Sequence, residues 1–411
     1  MSSDALGRPG LLASFDEPEF RKVWGSAVLF GLGVWVERVA VGWFVLNTTG
    51  SVLLTALSFA IRTMPNMVVG PIAGAVSDRY PRARVLLAAA AVRTASVSTM
   101  GVIVVSGNNS IGVILGLVLV TGMTNAFHTT SLSALQADIV GRERLGNAIS
   151  LTQLGQRSVG VIGGLSCGFL IEWLGAGETF LVAAVPLLAA AVGYSRVRVP
   201  MQARGAAPQA FGREVLEGLA LIVQMPVVRV LLTLMILVEI LGFSWNSLLP
   251  AVADQVLGVG PEGLGALTAS TALGSMGGTL ILVATAHRAT RGRLLLAVFA
   301  VFGVLLMLLG ASRVFVVSLG IVAGLGATSA MVDALEWIML QTAVPDHLRG
   351  RALGGWIFAC GFGWLGQISL GALADVTSVS WAVATGGSLL VLVALTSAVV
   401  APRLSRGEGR I

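Results

Sequence analysis

Asp78-Arg79-Tyr80-Pro81-Arg82-Ala83-Arg84 separates two long apolar runs, and His287-Arg288-Ala289-Thr290-Arg291-Gly292-Arg293 separates two more far down the chain. The arginines keep the same spacing in both copies. A basic turn between apolar helices, present once in each part of a chain, marks an internal duplication. Other paired positions follow in the same order. Pro18-x-x-Arg21 precedes the first apolar run and Pro226-x-x-Arg229 the seventh. Glu37 and Trp43 in the first run match Glu239 and Trp245 in the seventh. Leu135-Gln136 ends the fourth run as Leu340-Gln341 ends the tenth, with Arg144 and Arg349 at equal offsets.

The solvent for these runs is lipid. Of 411 residues 55% are hydrophobic and 11% charged, with mean hydropathy +0.89, whereas soluble domains carry roughly 25% charge. The 52 glycines suit close helix approach in a bilayer. The net charge of +6 is scattered through short loops, so it reads as an orientation signal and not as a nucleic-acid footprint. Cys167 and Cys360 each sit inside an apolar run, which gives neither a disulfide framework nor metal-ligand spacing. The first 22 residues are polar and carry Asp16, Glu17 and Glu19. They do not read as a cleavable signal, and the first run is expected to remain as a membrane helix.

Runs of spanning length lie near 22–46, 52–76, 85–106, 111–134, 147–172, 179–197, 228–253, 263–286, 293–310, 314–339, 350–373 and 380–401. Loops after even-numbered spans carry Arg79, Arg82, Arg84, Arg142, Arg144, Arg196, Arg198, Arg204, Arg213, Arg288, Arg291, Arg293, Arg349 and Arg351; the tail adds Arg403, Arg406 and Arg410. Loops after odd-numbered spans carry Arg313 alone. The positive-inside rule then places both termini in the cytoplasm. The expected fold is an all-α membrane protein of twelve transmembrane helices in two pseudo-symmetric six-helix bundles, 1–197 and 223–411, joined by a cytoplasmic linker at 198–222.

Gly74-Ala75-Val76-Ser77-Asp78-Arg79-Tyr80-Pro81-Arg82-Ala83-Arg84 resembles the major facilitator superfamily's G-x-x-x-D-R-x-x-R-R signature, with its last arginine displaced by one residue. A narrower resemblance, to the secretion-effector branch that includes enterobactin exporters, rests on three stretches. They are Trp35-Val36-Glu37-Arg38-Val39-Ala40-Val41-Gly42-Trp43, Leu249-Pro250-Ala251-Val252-Ala253-Asp254 and Pro345-Asp346-His347-Leu348-Arg349-Gly350-Arg351. Gly155, Gly160, Gly163, Gly164 and Gly168 in span 5 resemble the glycine-rich antiporter motif without its proline. The resemblance implies the major facilitator fold, rocking-type alternating access, a monomer, and a substrate path lined by spans 1, 4, 7 and 10. It also implies a cytoplasmic gate made by Gly74, Asp78, Arg79, Arg82, Arg84, Arg288, Arg291, Arg349 and Arg351, with Asp78 as a latch to the other half. The plainer reading of that turn is a solvated loop that sets topology.

Ionisable groups in mid-span cost about 2.5–3.5 kcal/mol each on insertion scales, so they persist when paired, hydrated or used. The four arginines Arg38, Arg62, Arg93 and Arg157 lie in the first half; Glu239, Asp333 and Glu336 lie in the second, with only Glu37 among the acids in the first. Two arrangements are open: pairing across the halves, or pairing within each half, for instance Glu37 with an arginine of span 2, 3 or 5. Glu37, Glu239, Asp333, Glu336 and His128 are the proton-coupling candidates. Asp333 and Glu336 share a helix face and occupy the positions of His128 and Ser131 in the duplicate. In the resembling branch the position of Glu37 often holds glutamine, which turns it toward substrate contact. Trp35, Phe127, Trp245 and Trp337 are the substrate-cavity candidates, against a plainer role for tryptophans as interfacial anchors.

No phosphate loop, nucleophile elbow or zinc motif is present, so no cofactor and no enzyme activity is expected. The sequence points to a secondary active exporter of a small organic molecule (drug, siderophore or secondary metabolite) by proton antiport in a bacterial inner membrane. Its partners are the substrate, the proton and the lipid bilayer, without nucleic acid. An importer or lysolipid flippase of the same fold, and a non-transporting sensor or assembly partner, are the alternatives.

Overall fold

A computed structural model describes residues 12–199, 225–285, 291–345 and 349–400. Among them the regular structure is helical, with no strand. In the first half, α1 (Pro18–Thr49), α2 (Val52–Arg79) and α3 (Arg82–Val105) are followed by α4 (Ile111–Gly141), α5 (Glu143–Leu174) and α6 (Ala176–Ser195). α4 and α5 meet at Gly141, whose φ of 71° and ψ of 175° redirect the chain in a conformation that glycine adopts without steric cost. The second half begins with α7 (Pro226–Leu241) and continues through α8 (Gly260–Thr285), α9 (Arg291–Ala311) and α10 (Phe315–Ala343). It ends with α11 (Arg349–Cys360), α12 (Gly363–Val376) and α13 (Val379–Val400). The duplicated Pro18 and Pro226 each open the first helix of their half, where a missing N–H breaks no hydrogen bond.

Among the described residues eleven helical segments, Pro226–Val256 counted as one, are long and apolar enough to cross a membrane. The remaining crossing corrects the sequence expectation. Residues 350–373 form no continuous helix: α11 and α12, of 12 and 14 residues, meet at a break after Cys360. The expected span 228–253 is also interrupted. α7 stops at Leu241 and the chain goes on through a 3-10 stretch, Phe243–Leu248, to a π-helical turn, Val252–Val256. The two irregular regions touch. The Ser244 hydroxyl is 2.9 Å from the Glu239 carbonyl and 3.3 Å from the Gly363 carbonyl. A Cβ at Gly366 would fall 2.1 Å from the Ile240 carbonyl oxygen. Broken helices at membrane depth need such internal partners, and apolar patterning does not report them.

Glycines set the closest helix contacts. α4 approaches α2 at Gly122, where a Cβ would lie 2.5 Å from the Arg62 carbonyl oxygen, and α8 approaches α10 at Gly274 and Gly278 in the same way. α3 packs on α6 through Gly101 and Gly177, and α9 on α13 through Gly303 and Gly387. The equivalent pairs of helices therefore meet in each half. Across the halves, α5 packs on α8 and α2 on α12. The first seam is made by Gly164, Gly168 and Gly265, where any Cβ would strike backbone of the facing helix. Residues 200–222 of the expected linker, together with Arg288 and His287, lie outside the described residues.

Candidate functional site

One buried carboxylate ties four helices of the first half together. Glu37 on α1 is 0% exposed and Arg93 on α3 is 1% exposed. Arg93 donates to Glu37 Oε2 from Nε at 2.9 Å and from Nη2 at 2.6 Å. Arg62 on α2 approaches Oε1 at 3.0 Å, and the Thr121 hydroxyl on α4 donates to the same oxygen at 2.9 Å. Arg93 Nη1 also donates to the Thr121 carbonyl at 3.0 Å. Of the two arrangements left open by the sequence, Glu37 adopts pairing within its half, with arginines of α2 and α3. His128 stands in the same interior, stacked on Phe30 with ring centroids 3.7 Å apart and 2.8 Å from the Tyr194 hydroxyl.

The acids of the second half are arranged differently. Glu239 sits at the end of α7, beside the break between α11 and α12, where a Cβ at Gly363 would fall 3.0 Å from its Oε2. Asp333 and Glu336 come from one face of α10, and each interacts electrostatically with its neighbours in the cluster. Among the described residues none of the three lies within 4 Å of a cationic group. The charge that does act on Asp333 comes from Arg157, on α5 of the other half. Glu336 Oε1 is buried with no hydrogen-bond partner among the described residues.

Between these clusters lies a cavity of about 440 Å³, within the ~300–1,000 Å³ range of small-molecule sites. The first half contributes Trp35, Arg38, Gln153, Gln156 and Arg157 to its wall; the second contributes Glu239, Phe243, Asn246 and Asp333 among others. Cations thus face carboxyls across the space. A smaller recess of about 30 Å³ continues past Arg38 between Phe59, Leu249 and Pro250. Of the four aromatic candidates, Trp35 lines the cavity. Trp245 is 1% exposed within the second-half core, Trp337 packs edge-on against Trp356, and Phe127 is half-buried away from this wall. Phe59, Phe243, Gln153 and Gln156 were not singled out from the sequence. The last two were detectable, since Gln153, Gln156 and Arg157 share one helix face within an otherwise apolar run.

The two ends of the bundle differ. At the basic turn, Asp78 is exposed and 3.6 Å from Arg82, and Arg82 also pairs with Asp138 of α4 in its own half. Arg79, Arg84 and Arg291 are exposed. A Cβ at Gly74 would meet nothing within 4 Å. The side chains of Arg349 and Arg351 lie outside the described residues. At the opposite end the halves are closed on each other. Asp375 of α12 accepts hydrogen bonds from the Val52 and Leu53 amides at 2.8 and 3.3 Å and from the Ser51 hydroxyl at 2.8 Å, so it caps α2. There a Cβ at Gly371 would fall 2.5 Å from Ala56 Cβ. Asp375 and Asp138 went unrecognised because an acid at a helix end reads as ordinary solvated surface.

The span 5 glycines serve two contacts. Gly155 lies against Trp24 and Val28, and Gly160 and Gly163 lie against Trp35, while Gly164 and Gly168 face α8 across the halves.

The profile of the transmembrane secretion effector family matches residues 10–408. An enterobactin exporter of Shigella boydii serotype 4 is 29% identical over 388 residues, covering 91% of this chain and 90% of the relative. The macrolide efflux protein A of Streptococcus pyogenes is 20% identical, covering 92% of this chain and 94% of the relative. The crystal structure of a nucleoside transporter superposes with a TM-score of 0.78 at 10% identity, over 93% of this chain and 99% of that one.

Proposed function

The chain belongs to the transmembrane secretion effector family of major facilitator transporters, and on that premise we propose that it exports a small organic molecule across a bacterial inner membrane by proton antiport. It is a multi-pass membrane transporter and not an enzyme. Relatives named for siderophore export and macrolide efflux support export of a drug, siderophore or secondary metabolite. The two halves, 1–197 and 223–411, rock about the cavity as a monomer, with both termini and the arginine-rich turns in the cytoplasm.

The observation that carries the reading is the opposition of Arg157 and Asp333 across the cavity. The three neighbouring carboxyls outnumber the two arginines on the cavity wall, Arg38 and Arg157, so charge balance requires either a proton or a further cation. A proton on Asp333 cancels its attraction to Arg157 and removes one restraint between the halves; loss of that proton restores it. Glu239 and Glu336 form the route by which protons reach Asp333. Glu37, held by two arginines and a threonine, acts as a fixed counter-ion, and His128, bonded to Tyr194, stays outside the route. Closure around Asp375 and the exposure of Asp78 support a state open to the cytoplasm, ready to load cargo. In the reverse state Asp78 becomes the latch.

The test uses respiring inverted vesicles and a pH-sensitive dye, challenged with antibiotics, siderophores and fluorescent dyes. A compound that dissipates the pH gradient only when the chain is present, and not with Asp333→Asn or Glu239→Gln, supports proton antiport at these groups. Substrate movement that leaves the gradient untouched refutes it.

A further inference from the structure

Arg38 is a cation at membrane depth that the coupling scheme does not use. It follows Glu37 on α1 but points elsewhere, as adjacent helical residues do. Its guanidinium lies over two aromatic rings, 5.4 Å from the centroid of Trp35 and 5.4 Å from that of Phe59. Cation–π contact of this kind offsets part of the cost of dehydrating a cation and does not use up the N–H donors. Among the described residues no oxygen accepts a hydrogen bond from those donors, and no carboxylate lies within 4 Å of the group. The nearest other charge to act on it is Arg62, of like sign. The position is open to ligand, since Arg38 lines both the main cavity and the recess behind it.

The remaining arginines in the interior are committed. Arg62 and Arg93 hold Glu37, and Arg157 faces Asp333 and donates to the Ser275 carbonyl at 3.4 Å. On the cavity wall Arg38 offers an unfilled planar fork, the geometry that receives a carboxylate or other oxyanion through two parallel hydrogen bonds. Trp35 beside it and Phe243 on the facing wall supply flat apolar surface. We propose that Arg38 receives the negatively charged group of the cargo, and that the cargo class is flat aromatic organic anions. The inference rests on the reading of this cavity as the transport site.

Fluorescein and rhodamine 123 share a xanthene core and differ in charge sign. Binding of each to the full chain in phosphatidylcholine nanodiscs is read by fluorescence anisotropy, with empty nanodiscs subtracted. Fluorescein should bind about tenfold or more tighter than rhodamine 123, the scale of one charge-assisted hydrogen bond. Arg38→Gln should remove that preference by weakening fluorescein and sparing rhodamine 123. Arg38→Lys keeps the charge without the fork and should recover part of it. Where Arg38→Gln does not fold, the order of the two dyes on the unmodified chain and the loss in Arg38→Lys decide the matter. Preference for rhodamine 123, absence of fluorescein binding, or fluorescein binding unchanged by both substitutions overturns the proposal. No gradient enters this measurement. A negative result here leaves proton-coupled export standing, and a failed vesicle experiment leaves anion binding standing.

Discussion

The Asp375 carboxylate accepts the Val52 amide at 2.8 Å, so a residue of the second half caps the second helix of the first. A helix N-terminus is otherwise left with unsatisfied N–H groups and a partial positive charge. The cap is therefore both a helix end and a closure between the halves. Removal of an N-cap costs about 1–2 kcal/mol, which shifts a two-state population about five- to thirtyfold. Asp375→Ala should move the protein toward the state open at this end. Spin labels at Thr48→Cys and Thr377→Cys, in a background with Cys167 and Cys360 replaced, should report a longer, broader distance distribution. An unchanged distribution would remove Asp375 from the closure.

Glu37→Gln should destabilise the fold by about 3–5 kcal/mol, because it strands Arg62 and Arg93 without their counter-ion. Thr121→Val, which removes one hydrogen bond to the same carboxylate, should cost about 1–2 kcal/mol. Thermal unfolding in detergent gives the order of the two variants. If Glu37→Gln unfolds like the parent and only proton flux is lost, Glu37 is a coupling group and not a fixed counter-ion.

Asp78→Asn should leave stability within about 0.5 kcal/mol of the parent, as expected for an exposed ion pair. Transport should nevertheless fall sharply, because the latch partner of Asp78 is engaged only when the cytoplasmic end closes. The informative comparison is therefore between unfolding temperature and transport rate in one preparation. Full transport in Asp78→Asn would return the turn to a purely topological role.

Gly168→Val should abolish folding or transport, since even a Cβ there would lie 2.6 Å from the Pro261 carbonyl oxygen on the facing helix. Gly116→Ala, where a Cβ meets nothing within 4 Å, should behave as the parent. Expression level and monodispersity after extraction check the pair. Equal behaviour of both variants would mean that the α5–α8 seam tolerates separation.

The helical membrane fold was legible in the apolar runs, and the first helix of each half in its proline. The Pro-x-x-Arg spacing recurs because each half repeats the same helix start, with Pro18 and Pro226 at equivalent helical positions. The ionisable residues named from the sequence also lie where chemistry is possible, but their partners were not legible. Glu37 meets Arg93 through three-dimensional packing between residues 56 apart, and nothing in span 3 marks that arginine as opposed to Arg62 or Arg157. The breaks near Gly242 and Gly361 were invisible for another reason. Hydropathy registers whether a segment prefers lipid, and both segments remain apolar through their irregular turns. What permits the break is a hydroxyl on Ser244, one small polar group that an apolar average absorbs.

That hydroxyl carries one hydrogen and stands within reach of two carbonyls, those of Glu239 and Gly363. It cannot donate fully to both. Glu239 and Ser244 both belong to the seventh crossing and Gly363 to the eleventh, so the longer of the two bonds is the one that joins the crossings. The seventh and eleventh crossings are thereby riveted to each other at their irregular turns. The same α12 bears Asp375 near its far end, so one helix carries both the contact with the seventh crossing in the interior and the cap on α2 at the closed surface.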